Sequence, residues 1–318
     1  METLSWIQYI FESGVCLFVF SLFYYLFLSR ETFFQFNRFY LLLTPILALL
    51  IPALRIEIFE PSIPSSLALF YEAIIEAKTI NYMLFSKVVS TTSATFPFSI
   101  SASAFFIYPI GLIWMSLKLI IKLIRIAGII YNGNWIKKQG YTVVKTTEKI
   151  PAASFFNFLI WSEKNNELDN TYILKHELTH IRQNHSLDNL IMEIWLIILW
   201  YNPLIYWFKR ELRTTHEFIA DGEAVGSKSS LYVYASLLVK YSKNKIKGNL
   251  ASNFNGGMIK KRLLMLRHHN VKKQFNYKYF LTIPLLIGLF ILFSFNMIDP
   301  NSINDLDKTD FLNHIMVD

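Results

Sequence analysis

Four stretches of the chain are apolar on every face and read as membrane spans: Trp6–Leu28, Phe39–Leu54, Phe98–Leu123 and Tyr279–Met297. Pro45, Pro52 and Pro109 fall inside them as expected kinks. Ser29–Arg38 is a short basic link. Residues 55–97 form a loop of mixed charge with one amphipathic helix around Leu67–Ala77. After the third span the pattern changes. Tyr141–Thr147 alternates with the period of a strand, and Ser154–Trp161 reads as a second strand broken at Asn157. The polar run Ser162–Asn170 suits a turn that caps the helix after it. Helical patterns follow, including Leu231–Tyr241 and Met258–Leu266. The division expected is 1–54 for two spans, 55–97 for an outer loop, 98–124 for a third span, 125–277 for an α+β domain, 278–298 for a fourth span and 299–318 for a tail. The fold class is a mainly α integral membrane protein of four transmembrane helices, with the domain between spans three and four.

Composition supports this. At 53% apolar and 16% aromatic residues, with a mean hydropathy of +0.34, the chain is too apolar for an ordinary soluble protein. A net charge of +8 would suggest nucleic acid in a soluble protein, but its distribution suggests orientation in a membrane. Lys118, Lys122, Arg125, Lys137 and Lys138 gather at and after the end of the third span. From Ala224 to Ile298 there is no acidic residue, while Lys228–Lys278 supplies twelve Lys and Arg, which reads as a cytoplasmic flank or a contact for anionic lipid. The tail has five Asp against one Lys, suiting the outside. No basic residue precedes the first span and no cleavage site follows it, so it reads as uncleaved, with the N-terminus outside and Glu12 near the outer interface. One cysteine, Cys16, excludes an internal disulfide and a cysteine-ligated metal site.

The chemistry lies between Tyr172 and Ala224. His176-Glu177-Leu178-Thr179-His180 is H-e-x-x-H, and on a helix residues four apart share a face, so both imidazoles can meet one cation. Glu177, one step round, is placed as catalytic base. Imidazole and carboxylate donors with an open position suit Zn2+. Glu217 is the candidate third ligand, and Asp221, four residues on, can hydrogen-bond a histidine ligand from behind. A third histidine in the metzincin pattern would need glycine at position 183 and histidine at 186; the chain has Gln183 and Ser186. His216, about 100° round the helix from Glu217, is the weaker ligand candidate. Asp188 can orient a ligand or cap a helix. An oxyanion or proton donor is needed, with His185, His216 or a tyrosine open for it. Leu190–Trp200 tempts a transmembrane reading, yet a single crossing would separate His180 from Glu217. The segment is therefore expected to turn back at Asn202-Pro203 as a hairpin of Asp188–Tyr201 and Pro203–Val225, in which Glu193 finds a polar partner. A strand beside the histidine helix can take up an extended substrate by β-addition, or serve only as a structural hairpin. Ser242-Lys243-Asn244-Lys245 matches the penicilloyl-serine pattern without its companions and is assigned to chance.

These residues resemble the membrane metallopeptidases of the β-lactam-resistance regulators, the BlaR/MecR type. The pieces that carry the resemblance are Arg30–Tyr40, Ser154-Phe155-Phe156, His176–Asp188, Asn202-Pro203 and His216–Asp221. It implies a gluzincin-like cytoplasmic domain, His176, His180 and Glu217 as zinc ligands, Glu177 as base and Asp221 behind the ligands. It also implies a multi-pass protein of the bacterial inner membrane, both termini outside, that cleaves a winged-helix repressor or itself after an outside signal, with no direct contact to nucleic acid. Family regulators carry a penicillin-binding sensor after the last span. Here a short tail stands there, so a form lacking the sensor, without direct β-lactam binding, is expected. Two rivals remain: a prenyl-protein-processing or quality-control membrane metalloprotease, which also pairs H-e-x-x-H with a downstream E-x-x-x-D, and a signalling scaffold whose zinc only fixes the fold.

Overall fold

Apolar helix formers dominate the chain, and the computed structural model is mostly helical with two small sheets. It describes residues 2–54, 56–59, 76, 80, 83, 100–148, 150–162, 171–226, 231–246, 252–268 and 277–298. Of the helix expected around Leu67–Ala77 only Glu76 is described, and it is helical; the capping turn beyond Ser162 and the tail 299–318 lie outside the described residues. Nine helices among those residues are numbered α1 Glu2–Phe23, α2 Phe34–Ala53, α3 Ile100–Tyr131, α4 Thr171–Arg182, α5 His185–Ile198, α6 Pro203–Val225, α7 Leu231–Ile246, α8 Ser252–His268 and α9 Thr282–Ser294. The strands are β1 Ile56–Phe59, β2 Asn134–Lys138, β3 Tyr141–Thr146, β4 Ala153–Phe155, β5 Phe158–Ser162 and β6 Phe295–Ile298.

Three helical stretches among the described residues are long and apolar enough to cross a membrane: Gln8–Leu28, Phe34–Ala53 and Tyr277–Ser294. They fall on the first, second and last expected spans. The last helix stops at Ser294, earlier than its hydropathy suggests, because residues 295–298 pair in parallel with β1. The remaining expected span falls on α3, a helix of 32 residues that passes through Pro109 without ending.

The described residues form two compact units. The first draws on 1–20, 46–107 and 277–318. Within it the Tyr9 hydroxyl donates to the Leu49 carbonyl at 2.9 Å, and the Ser294 hydroxyl to that of Ile51 at 2.7 Å. Each bond fastens one apolar helix to α2 where few other polar partners exist.

The second unit draws on 21–45 and 108–276 and contains the motif helices. After α1, Tyr24–Leu28 form a π turn closed by the Ser29 amide on the Tyr24 carbonyl at 2.8 Å. Tyr24 stands edge-on to Trp207 of α6, and Phe34 packs on Phe218, with centroids 5.7 and 5.3 Å apart. The sheet runs β2-β3-β5-β4, with β3 and β5 parallel and both outer pairs antiparallel. The two strands expected from alternation are β3 and the β4–β5 hairpin, whose turn at Phe156-Asn157 is the anticipated break. Phe156 adopts a φ of 48°, and its amide donates to the Ser186 hydroxyl at 2.9 Å. β2 has no alternation to announce it, since all five of its residues are exposed. Ile130, Val144 and Ile160 form a core that fastens the end of α3 to the sheet. Strand β4 is an edge strand and lies against α4.

The chain turns back where expected. The Asn202 side chain accepts from the Leu204 amide at 3.0 Å and Pro203 takes the first helical position, so α5 ends and α6 starts anew. Glu193 of α5 receives Lys122 of α3 at 2.6 Å and Lys209 of α6 at 2.9 Å. Nearby, the Tyr108 hydroxyl donates to the Ile198 carbonyl at 3.0 Å. Gly111 of α3 sits so close to the Trp200 ring that a Cβ there would lie 2.1 Å from it. Gly111→Ala is expected to destabilise the protein by about 1–3 kcal/mol through overpacking, measured as thermal unfolding in detergent. The cost should shrink in a Trp200→Leu background, because the two positions share one space.

Candidate metal centre

Helix α4 places His176 and His180 on one face, with their Nε2 atoms 3.2 Å apart. The return of α6 brings Glu217 to them, its Oε2 3.4 Å from His176 Nε2. The three candidate donor atoms lie within 4.8 Å of one another. A tetrahedral site with metal–nitrogen distances of about 2.0–2.1 Å has edges of about 3.3 Å, so these separations fit one small divalent cation. Glu177 follows His176 in the same turn. Removal from water pushes its carboxyl up, against the opposing effects of the His176 charge and a hydrogen bond from the Ser154 hydroxyl of β4.

Behind His176 stand groups from outside the motif helices. Tyr234 of α7 donates its hydroxyl to Asp221 Oδ1 at 2.6 Å, and its oxygen lies 3.0 Å from His176 Nδ1. Asp221 Oδ1 is itself 3.3 Å from that nitrogen. With Nε2 facing the cation position, Nδ1 carries the proton and gives it to this pair. Arg262 of α8 forks Asp221, with Nε on Oδ2 at 2.8 Å and Nη2 on Oδ1 at 2.5 Å, and places Nη1 2.9 Å from Glu217 Oε2. Ala224, Val225, Tyr234 and Leu266 close a small apolar core beside this network. Burial alone would lower the His176 imidazole, but the hydrogen bonds and charges of Asp221 and Glu217 outweigh it and push the group up to about 10. Burial works in the opposite sense on Glu217, yet its bond to His176 and the charges of His176 and Arg262 hold its carboxyl well below the usual range.

His180 is supported differently. Its Nδ1 lies 2.6 Å from Nδ1 of His185, the first residue of α5. Asn184 makes this possible by adopting a left-handed φ of 55° between the two helices, a conformation asparagine tolerates. The His185 ring stacks on His216 at 4.0 Å, and His216 Nε2 donates to Asp188 Oδ2 at 2.8 Å. Burial, then the His176 charge, push His180 down to about 3, which leaves it a neutral imidazole able to offer a lone pair. His185 and His216, open from the sequence as oxyanion or proton donors, thus sit on the Nδ1 side of His180. Asp188 lies in the first turn of α5 and binds His216 and Arg38 of α2.

Tyr234 and Arg262 carry no signal in the sequence that marks them, for each is a common residue type far along the chain from the motif; Arg38 lies in the Arg30–Tyr40 stretch that carries the resemblance, but no spacing ties it to the site. Tyr234→Phe keeps the ring but removes the bridge between Asp221 and His176. It is expected to weaken metal affinity about 10–100-fold in a chelator competition. Arg262→Gln, which strips two carboxylates of their partner, should cost about 3–5 kcal/mol in thermal or denaturant unfolding.

Residues 160–266 match the family model described as BlaR1 peptidase M56. That stretch runs from β5 into α8 and contains His176, Glu177, His180, Glu217, Asp221, Tyr234 and Arg262. The regulatory protein BlaR1 of Staphylococcus aureus is 32% identical over 110 residues, which cover 32% of this chain and 19% of that relative. The chain therefore matches about a fifth of the relative's length, within the region that holds the converging histidines and carboxylates. Through this peptidase region the chain is similar to the BlaR1-type peptidases.

Proposed function

We propose that this protein is a zinc-dependent endopeptidase of the bacterial inner membrane that cleaves a cytoplasmic protein, or itself, in transmembrane signalling. The observation that carries the reading is the meeting of His176, His180 and Glu217 around one point, with Glu177 beside them. Two imidazoles and a carboxylate are the ligand set of a catalytic zinc site, which keeps a fourth position open. Zinc held there would supply Lewis acidity, polarising the scissile carbonyl and activating water near neutral pH.

The remaining work falls to the chain's own side chains. Glu177 takes the proton of the attacking water and delivers it to the leaving amine, a task suited to a carboxyl raised above its ordinary value. Ser154 holds that carboxylate by its hydroxyl and ties it to β4. Among the described residues β4 is an edge strand, and its outer edge offers main-chain donors and acceptors to an extended peptide beside the histidine helix. Segments that can be drawn out as a strand are therefore the fitting substrates.

In this reading α3 is a further membrane span, with Lys118, Lys122 and Arg125 at its cytoplasmic end, the metal centre is cytoplasmic, and both described ends of the chain face outside. The similarity to a regulatory protein supports a signalling role; the substrate class in this reading is a winged-helix repressor.

Glu177→Gln should retain the metal and lose cleavage by about 10²–10⁴-fold, whereas His180→Ala should lose the metal itself. Metal content of the purified full chain and protein-terminus profiling of cells with each variant give the two readouts. Full cleavage by a metal-loaded Glu177→Gln protein would remove Glu177 from the role of base.

A further inference from the structure

Helix α2 reaches the surroundings of the metal centre through Arg38. Arg38 of α2 and Asp188 of α5 have side chains only 9% and 6% exposed. Arg38 Nε donates to Asp188 Oδ2 at 2.5 Å and Nη2 to Oδ1 at 3.1 Å, a two-bond fork. The same Nη2 donates to the Gln183 carbonyl at 2.7 Å, and Nη1 to the Gln183 side-chain oxygen at 3.2 Å. Gln35, one turn earlier on α2, donates to that oxygen as well at 3.2 Å. A single guanidinium therefore clamps the junction where α4 ends and α5 begins, within the compact unit that includes both α2 residues and the motif helices.

From Asp188 the contacts continue to the ligand. His216 donates to Asp188, His216 stacks on His185, and His185 meets Nδ1 of His180. If His180 Nε2 faces a metal, its Nδ1–H must donate, so His185 accepts at Nδ1 and carries its own proton on Nε2. That Nε2 is buried without a hydrogen-bond partner among the described residues. The ring is thus held by packing against His216 and by its one bond to His180, and it depends on His216 being fixed in place. Asp188 fixes His216, and Arg38 fixes Asp188.

We infer that Arg38 is a positioning residue for the metal centre, acting through Asp188, His216 and His185 on His180, so that the placement of α2 sets the geometry of a ligand. The inference rests on the metal-site reading given above and deepens it, because it names the element of the membrane region to which the site is tied. A shift of α2 by even one residue rise, about 1.5 Å, is enough to break bonds of this length.

The test uses the full chain in detergent, with Co2+ as a probe whose visible absorption reports ligand geometry. Wild type is expected to bind Co2+ and to release it to Zn2+. Arg38→Gln is expected to bind about 10–100-fold more weakly and with an altered absorption band, while helix content by circular dichroism stays the same. Asp188→Asn should do likewise, and the double variant should be no worse than either single one. If Arg38→Gln does not fold, Arg38→Lys, which keeps the charge but not the fork, should fold and show an intermediate affinity. A folded Arg38 variant with the wild-type affinity and spectrum overturns the inference and leaves the metal site standing. A wild-type chain that binds no Co2+ overturns the metal-site reading, and this inference with it.

Discussion

A charge removed from water must be answered by another, and this rule organises the second unit of the protein. Helices α4 to α6 bring Glu177, Asp188, Glu217 and Asp221 into or beside the interior. The guanidinium groups that answer them come from elsewhere, Arg38 from α2 and Arg262 from α8. The acids in and around the candidate metal centre thereby recruit the apolar helix α2 on one side and a distal helix on the other. The two histidine donors differ accordingly. His176 faces the carboxylates of Asp221 and Glu217, whereas His180 faces other imidazoles.

The same two arginines show where sequence reading loses resolution. The histidine pair is legible because four residues make one helical turn. The hairpin is legible because an asparagine before a proline ends one helix and starts the next, and because His180 and Glu217 could not otherwise meet. Arg38 and Arg262, in contrast, lie in basic stretches whose plain meaning is membrane orientation. Among the twelve Lys and Arg of 228–278 nothing in the sequence distinguishes the one that turns inward. Its burial is decided by Asp221, 41 positions away, and that of Arg38 by Asp188, 150 positions away. Tyr234 is hidden for the same reason, since a tyrosine in a helical pattern reads as packing until its hydroxyl is seen against Asp221.

The strands divide along similar lines. β3 and β5 bury one or both faces and so carry a pattern. β2 is exposed throughout and exists because Tyr141–Lys145 offers it a partner. At the other end of the chain, residues 295–298 are apolar enough to prolong a span, yet they pair with β1, because backbone groups freed from a helix must find partners somewhere. Hydropathy measures the side chains of such a segment and is blind to that demand.

The left-handed Asn184 has a consequence of its own. It folds the two-residue link, Gln183-Asn184, between two helices so tightly that two imidazoles five positions apart touch. The tolerance of this joint is therefore one of length more than of chemistry. One added residue would rotate the start of the second helix by about 100° and swing His185 off its neighbour, while every side chain in the motif remained unchanged. Relatives that keep the letters of the motif but lengthen this joint would need a different prop for the same ligand.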